Sequence, residues 1–101
     1  MPKLRINEVI YTPTALTNAS SIKKYLLSKF SDKEVDNFFS LLQSFESVVI
    51  SFPKLYPTTY KKKKIRRAVL SKPLSVFYRI KNTTIEVVAI LDNRCDLEEW
   101  I

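Results

Sequence analysis

The residues with the greatest capacity for chemistry are cationic, and they are concentrated between positions 61 and 94. They are Lys61, Lys62, Lys63, Lys64, Arg66, Arg67, Lys72, Arg79 and Arg94. Lysine and arginine donate charge-assisted hydrogen bonds to phosphate and carboxylate groups, so this pattern predicts a surface that grips an anionic partner. The structural alternative is a solvated loop whose lysines protect a sheet edge from aggregation. For Arg94 the alternative is a surface ion pair with Asp92, which contributes little stability.

Several kinds of active site are excluded by what the chain lacks. It contains no histidine, which removes the usual general base, the usual zinc ligand and every histidine-dependent triad. The single cysteine, Cys95, cannot form an intramolecular disulfide or a cysteine-based metal site. The carboxylates of Asp96, Glu98 and Glu99 are typical of a solvated tail. We therefore expect no metal and no cofactor, and any catalysis has to use Lys, Arg, Tyr, Asp or Glu.

Length and composition predict a single folded domain over residues 1–101. The chain is 46% hydrophobic and 12% aromatic, which favours a packed core over a disordered tail. Its formal charge of +7 favours an anionic partner, either nucleic acid or an acidic protein. The first residues lack the apolar centre of a signal peptide, and the apolar run at 87–91 is too short to span a bilayer. We expect a cytoplasmic protein without a membrane partner.

The elements that must position the cations begin with a strand and two helices. A strand is predicted over 4–11, before Thr12-Pro13 ends it. Asn18 or Ser20 is the expected cap of the first helix. Its apolar stripe comprises Ile22, Tyr25, Leu26 and Phe30.

A second helix follows after a break too short for anything but a helical hairpin. Ser31-Asp32-Lys33-Glu34 reads as a capping box, in which the Ser31 hydroxyl and the Glu34 carboxylate bind each other's backbone amides. Helical spacing then places six apolar residues on one face, and Pro53 requires the helix to end by Ser51 or Phe52. The apolar positions are Val35, Phe38, Phe39, Leu42, Phe45 and Val49.

The remainder reads as a loop over 53–60 followed by three strands over 64–70, 74–80 and 85–91. Asn82 is predicted to supply the positive φ of the last turn, because the chain contains no glycine. In the middle strand, residues 74, 76, 78 and 80 share one face, and Arg79 lies on the other. Tyr56 and Tyr60 are placed to stack on bases or to pack onto the domain. The order β-α-α-β-β-β predicts an α+β fold, with the helical hairpin on one face of an antiparallel sheet.

This order, together with a sequence run in the last two strands, resembles the RelE/ParE superfamily of bacterial type II toxins. The run is Val76-Phe77-Tyr78-Arg79-Ile80, followed by Ile85-Glu86-Val87-Val88 and Asp92-Asn93-Arg94. The resemblance implies a toxin that inhibits growth, is associated with plasmid stabilisation and is neutralised by a cognate antitoxin protein. It also implies one of two targets: mRNA in the ribosomal A site, which RelE-like members cleave, or DNA gyrase, which ParE-like members bind.

The positions that correspond to the RelE-like cations are only partly kept. Ser75 stands where an arginine is expected, and Ala68 replaces one of two alternating lysines, whereas Arg66 retains the other. The strand-end arginine falls at Arg94 or at Cys95, and Trp100 stands near the position of a tyrosine. If the chain were RelE-like, the resemblance would assign catalysis to Lys64, Arg66 and Arg94.

These losses favour a ParE-like toxin that acts by binding rather than as an enzyme. On this interpretation the target or the antitoxin is bound by Trp100 together with Lys61, Lys62, Lys63, Lys64, Arg66, Arg67, Lys72, Arg79 and Arg94. A ribosome-dependent mRNA endonuclease remains the alternative, and so does an inactive family member that binds nucleic acid through its positive charge.

Overall fold

The computed structural model describes residues 5–60 and 64–95, in which two helices pack on a five-stranded sheet. The elements are β1 (Glu8–Tyr11), α1 (Pro13–Lys29), α2 (Asp32–Ser51), β2 (Thr58–Tyr60), β3 (Ile65–Val69), β4 (Leu74–Lys81) and β5 (Thr84–Asp92). The sheet order is β1-β5-β4-β3-β2. The predicted α+β fold is confirmed, and β1 adds one parallel pair, with β5, to an otherwise antiparallel sheet. Of the two helices in this part of the chain, neither is long and apolar enough to cross a membrane.

The first helix begins earlier than predicted, and the first strand is shorter. The Thr12 hydroxyl accepts a hydrogen bond from the Ala15 amide at 3.1 Å, and Pro13 suits the first helical position because it has no amide hydrogen to satisfy. The assignment of the cap to Asn18 or Ser20 was therefore wrong. The Asn18 side chain instead accepts from the Ile90 amide at 3.0 Å, which fastens α1 to β5.

The second helix begins after Ser31 and ends at Ser51, as predicted. The capping box was wrong, however, because the Ser31 side chain makes no capping hydrogen bond. The amide of Glu34 donates to the Ser31 backbone oxygen at 3.1 Å, and the Glu34 carboxylate is used elsewhere. Two aromatic residues expected in the apolar stripes lie largely outside the core, since Phe30 is 51% exposed and Phe39 is 44% exposed.

The segment predicted as a loop over 53–60 ends in a strand. β2 pairs with β3 in antiparallel register, with Thr58 opposite Arg66, so that part of the loop prediction was wrong. A three-residue edge strand has too few residues for an alternating pattern to show in the sequence. Two described non-glycine residues have left-handed backbones: Asn82 at φ 56°, as predicted, and Lys64 at φ 54°.

Tyr78 joins the sheet to the segment that follows α2. Its side chain is fully buried on the helix-facing side of β4, which confirms the predicted parity of this strand. The Tyr78 hydroxyl donates to the Pro53 carbonyl oxygen at 2.8 Å. Its ring contacts Phe45 edge-on at 5.5 Å and Tyr56 at 6.2 Å between centroids. The turn after α2 is thus held against the core by one hydrogen bond and an aromatic cluster.

Arg94 joins the end of β5 to the tip of the helical hairpin. Its guanidinium donates to both Asp92 carboxylate oxygens, at 3.0 and 2.8 Å, and to the Glu34 carboxylate at 2.9 Å. It also lies 5.4 Å from the centre of the Phe30 ring. The sequence suggested an exposed Asp92–Arg94 pair, which was wrong, because the Asp92 side chain is fully buried. The same contacts explain where the Glu34 carboxylate goes instead of capping α2.

We expect Tyr78→Phe to lower the free energy of unfolding by about 1–2 kcal/mol, because it leaves the Pro53 carbonyl without its partner. Burial raises the pKa of Tyr78 to about 12, above the 10.0 of an exposed tyrosine. Since the unfolded chain ionises first, the contribution of Tyr78 is complete below about pH 10 and is lost as the pH rises toward 12. Urea unfolding at neutral and alkaline pH measures both effects.

Tyr25→Phe is the matched control for this change, because the Tyr25 hydroxyl makes no hydrogen bond to the described residues and the ring is only half-buried. The control should leave the stability at neutral pH unchanged and keep the alkaline loss that Tyr78→Phe removes. Equal effects of the two substitutions would contradict the assignment.

A second prediction concerns Arg94. Replacing it with alanine leaves the buried Asp92 carboxylate without its cation, so we expect Arg94→Ala to cost about 3 kcal/mol of unfolding free energy. Arg79→Ala is the control, because Arg79 also pairs with a carboxylate, that of Glu86, but its side chain is 42% exposed. Arg79→Ala should lower the free energy of unfolding by less than about 1 kcal/mol. Comparable losses in urea unfolding would show that Arg94 is not a structural clamp.

Candidate functional site

A groove lined by cations runs along the end of β4 and the start of β3. We call it the basic groove; it has a volume of about 360 Å³ and is lined by Lys54, Thr58, Lys64, Arg66 and Ile80. A hollow of about 290 Å³ shares Lys64 and Ile80 with it and is completed by Arg79 and Lys81. The fold thus gathers cations from the turn after α2, from β3 and from β4 around one strand end.

Backbone carbonyls hold Arg66 in this groove. Its Nη1 donates to the carbonyl oxygens of Tyr56, at 2.6 Å, and Lys54, at 3.3 Å. Within residues 5–60 and 64–95, no carboxylate forms a salt bridge with Lys54, Lys64, Arg66 or Lys81. The position of the Arg66 guanidinium is therefore fixed without neutralising its charge.

Two other predicted cations have partners on the face of the sheet that points away from the helices. Arg67 donates from Nε and Nη2 to the Ser75 hydroxyl, both at 3.1 Å, and lies 5.7 Å from the centre of the Phe77 ring. Arg79 pairs with Glu86 at 2.6 Å. Ser75, which stands where a RelE-like chain is expected to have an arginine, thus accepts hydrogen bonds from Arg67 on the neighbouring strand.

Lys64, Arg66 and Arg94 would be catalytic if the chain were RelE-like, and we call them the conditional nuclease residues. The structure does not bring them together. Lys64 and Arg66 line the basic groove near Ile80, whereas Arg94 lies just beyond Asp92, whose partner in the ladder is Leu74. Ile80 is six residue steps from Leu74 along β4, roughly 20 Å, and Tyr78, the ladder partner of Arg66, is four steps from Leu74, roughly 13 Å. Hydrogen bonds to Asp92 raise the pKa of Arg94 above its usual value and commit its guanidinium to the clamp.

The remaining predicted positions fall into two groups. Lys72 is exposed in the turn before β4, at the end of that strand opposite the basic groove. Lys61, Lys62, Lys63 and Trp100 lie outside the described residues. The sequence reasoning missed Lys54 and Lys81, because neither belongs to the basic run at 61–67. Only the folded chain places Lys54 against Arg66 and Lys81 in the hollow beside Lys64.

A second groove, which we call the helix groove, lies between the two helices and β1. It has a volume of about 400 Å³ and is lined by Tyr11, Leu16, Ala19, Phe39, Leu42, Gln43 and Glu46. The Tyr11 hydroxyl donates to Glu46 at 2.5 Å, and burial together with that carboxylate raises the pKa of Tyr11. Leu16 is 58% exposed at its rim. Since β1 and β2 are the two edge strands, the helix groove and the basic groove lie at opposite edges of the sheet.

Solved structures with the same fold include chains of two bacterial toxin–antitoxin systems and a conserved hypothetical protein. A chain of the chromosomal ParDE system from P. aeruginosa superposes with a TM-score of 0.72 at 12% identity, covering 89% of this chain and 98% of that chain. A chain of the E. coli DinJ–YafQ toxin–antitoxin complex gives a TM-score of 0.58 at 11% identity, with 91% and 96% covered. A conserved hypothetical protein from Helicobacter pylori gives 0.56 at 15% identity, with 86% and 94% covered. At these identities the likeness shows the fold alone.

No curated protein sequence matches the chain. The family model described as the ParE toxin of the type II toxin–antitoxin system parDE matches residues 9–97. That match includes both grooves, the Arg94 clamp and all of the sheet except Glu8, the first residue of β1. The chain therefore belongs to the ParE toxin family of type II toxin–antitoxin systems.

Proposed function

We propose that this ParE-family toxin acts by binding DNA gyrase and that a cognate antitoxin neutralises it. The observation that carries the proposal is the separation of the conditional nuclease residues along β4. Arg94 lies beyond the level of Leu74, whereas Arg66 pairs with Tyr78, roughly 13 Å along the strand. Lys64 lines the basic groove near Ile80, roughly 20 Å along the strand from Leu74. A nuclease has to place its proton-transfer and charge-stabilising groups within hydrogen-bond reach of one phosphodiester. A toxin that acts by binding has no such requirement.

The engagement of the other candidate groups supports the same proposal. Asp92 and Glu34 occupy the Arg94 guanidinium, so that side chain cannot approach a substrate without breaking the clamp. The Tyr78 phenol is buried, donates to Pro53 and has a pKa of about 12, which is far from that of a general acid or base at neutral pH. ParE-like toxins, which this sequence resembles, need no catalytic residue of their own.

One observation favours the second candidate, a ribosome-dependent mRNA endonuclease. Lys64 and Arg66 line the same groove and have no carboxylate partner among the described residues, so two of the three conditional nuclease residues are available to a phosphate. This interpretation requires cleavage without Arg94, and the two targets are separable by experiment.

For the antitoxin we propose the helix groove as the principal docking surface. Antitoxin segments that fold on binding have to bury apolar side chains, and this groove offers exposed Leu16 and Phe39 beside the edge strand β1. The likeness of the fold to a chain of the DinJ–YafQ toxin–antitoxin complex supports a protein partner of this kind.

The gyrase proposal predicts that the purified protein inhibits supercoiling by gyrase and does not cleave mRNA on translating ribosomes. Because inhibition by binding does not use the conditional nuclease residues as catalysts, Arg66→Ala should weaken the inhibition of gyrase only partly and should not abolish it. Supercoiling assays and toeprinting on the same preparation provide the measurement.

Each outcome of those assays is informative. A-site cleavage that is lost in Arg66→Ala would replace the gyrase proposal with the endonuclease. Absence of both activities, together with normal growth when the protein is expressed without a partner, would identify an inactive family member and overturn the proposal.

The docking proposal predicts that Leu16→Glu weakens binding of the cognate antitoxin about tenfold or more, because it replaces an exposed apolar side chain of the helix groove with a charge. Leu55→Glu is the matched control, since Leu55 is 61% exposed but lies outside the helix groove. Titration calorimetry on both variants measures the difference. Equal weakening, or none, would place the antitoxin elsewhere.

A further inference from the structure

We propose that the basic groove and its adjoining hollow bind the phosphodiester backbone of nucleic acid directly. The inference goes beyond the proposed action on gyrase, because it gives the toxin a nucleic-acid contact of its own. It does not depend on the identity of the protein target.

The charges around the groove are not balanced by the part of the protein that the structure describes. Lys54, Lys64, Arg66 and Lys81 form no salt bridge with any described carboxylate. Arg79, which also lines the hollow, is the lining cation with a carboxylate partner among the described residues, and that partner is Glu86. An anion that enters therefore meets four cations without having to displace an internal partner.

Arg66 is held ready for such an anion. Both of its hydrogen bonds leave from Nη1, to the carbonyls of Lys54 and Tyr56. Guanidinium carries five N–H donors, so the donors on Nε and Nη2 remain without a partner among the described residues. Because the backbone already fixes this side chain, less conformational entropy is lost when a phosphate is bound.

The composition of the groove favours a phosphate backbone over an acidic peptide. Its lining contains one aliphatic residue, Ile80, and Thr58, and otherwise consists of cations. A peptide segment that orders on binding needs apolar anchors, and these lie in the helix groove at the opposite edge of the sheet. A nucleic-acid backbone is bound by charge and hydrogen bonding alone.

The shape points to the same occupant. The groove and the hollow are two adjoining depressions that share Lys64 and Ile80. A single small anion would need only one of them, whereas a linear polyanion can contact both.

The test is fluorescence anisotropy of the purified toxin with three labelled probes of equal length: duplex DNA, single-stranded DNA and single-stranded RNA. We expect the logarithm of the association constant to fall linearly with the logarithm of the salt concentration. The expected slope is about −3 to −4, which corresponds to about four phosphate contacts. The double variant Lys54→Gln/Lys81→Gln should reduce the slope by about two and weaken binding about tenfold or more at low salt. The tightest probe identifies the form of nucleic acid.

Lys23→Gln/Lys24→Gln is the matched control, since it removes the same charge from exposed positions on α1, outside the groove. Thermal unfolding of both double variants checks that each is folded. Equal weakening by the two double variants would show diffuse attraction to the net charge of +7 and would overturn the proposal. Tighter binding of a polyglutamate peptide than of any nucleic acid, lost only in the groove variant, would assign the groove to an acidic protein. Gyrase is absent from these assays, so their failure is distinguishable from failure of the proposed function.

Discussion

The buried carboxylate of Asp92 is the constraint on which the arrangement of the two layers depends. A fully buried carboxylate has to be paired, because its desolvation is costly, and Arg94 supplies the charge with two hydrogen bonds. The same guanidinium reaches Glu34 in the first turn of α2 and lies against the ring of Phe30. One side chain thus fixes the tip of the helical hairpin to the end of the central strand pair.

This clamp also determines which chemistry is available to the chain. An arginine at the strand end is a catalytic candidate only if its guanidinium faces open solvent or a substrate. Here two carboxylates hold it, while Lys64 and Arg66 lie toward the far end of β4. The clamp thus stabilises the fold and also holds Arg94 away from Lys64 and Arg66, and the proposed action by binding rests on that separation.

The sheet separates two kinds of recognition at its opposite edges. Beside β1, the helix groove presents apolar side chains that are suited to a protein segment which orders as it binds. Near β2, at the ends of β3 and β4, the basic groove presents cations around a single aliphatic residue, Ile80. The width of the sheet separates the two grooves, because β1 and β2 are its opposite edges.

The sequence by itself determined the order of the elements, the end of α2 before Pro53, the positive φ of Asn82 and the inward face of β4, because these depend on local backbone preferences and on periodicity. It did not determine the cap of α1, the use of Glu34 or the strand at Thr58, where contacts distant in the chain override local patterns. The basic groove was also decided by tertiary structure alone. Lys54 and Lys81 are 27 positions apart in the sequence. Lys54 joins the groove because Arg66 donates a hydrogen bond to its backbone oxygen, and Lys81 joins the adjoining hollow because it ends β4 beside Ile80.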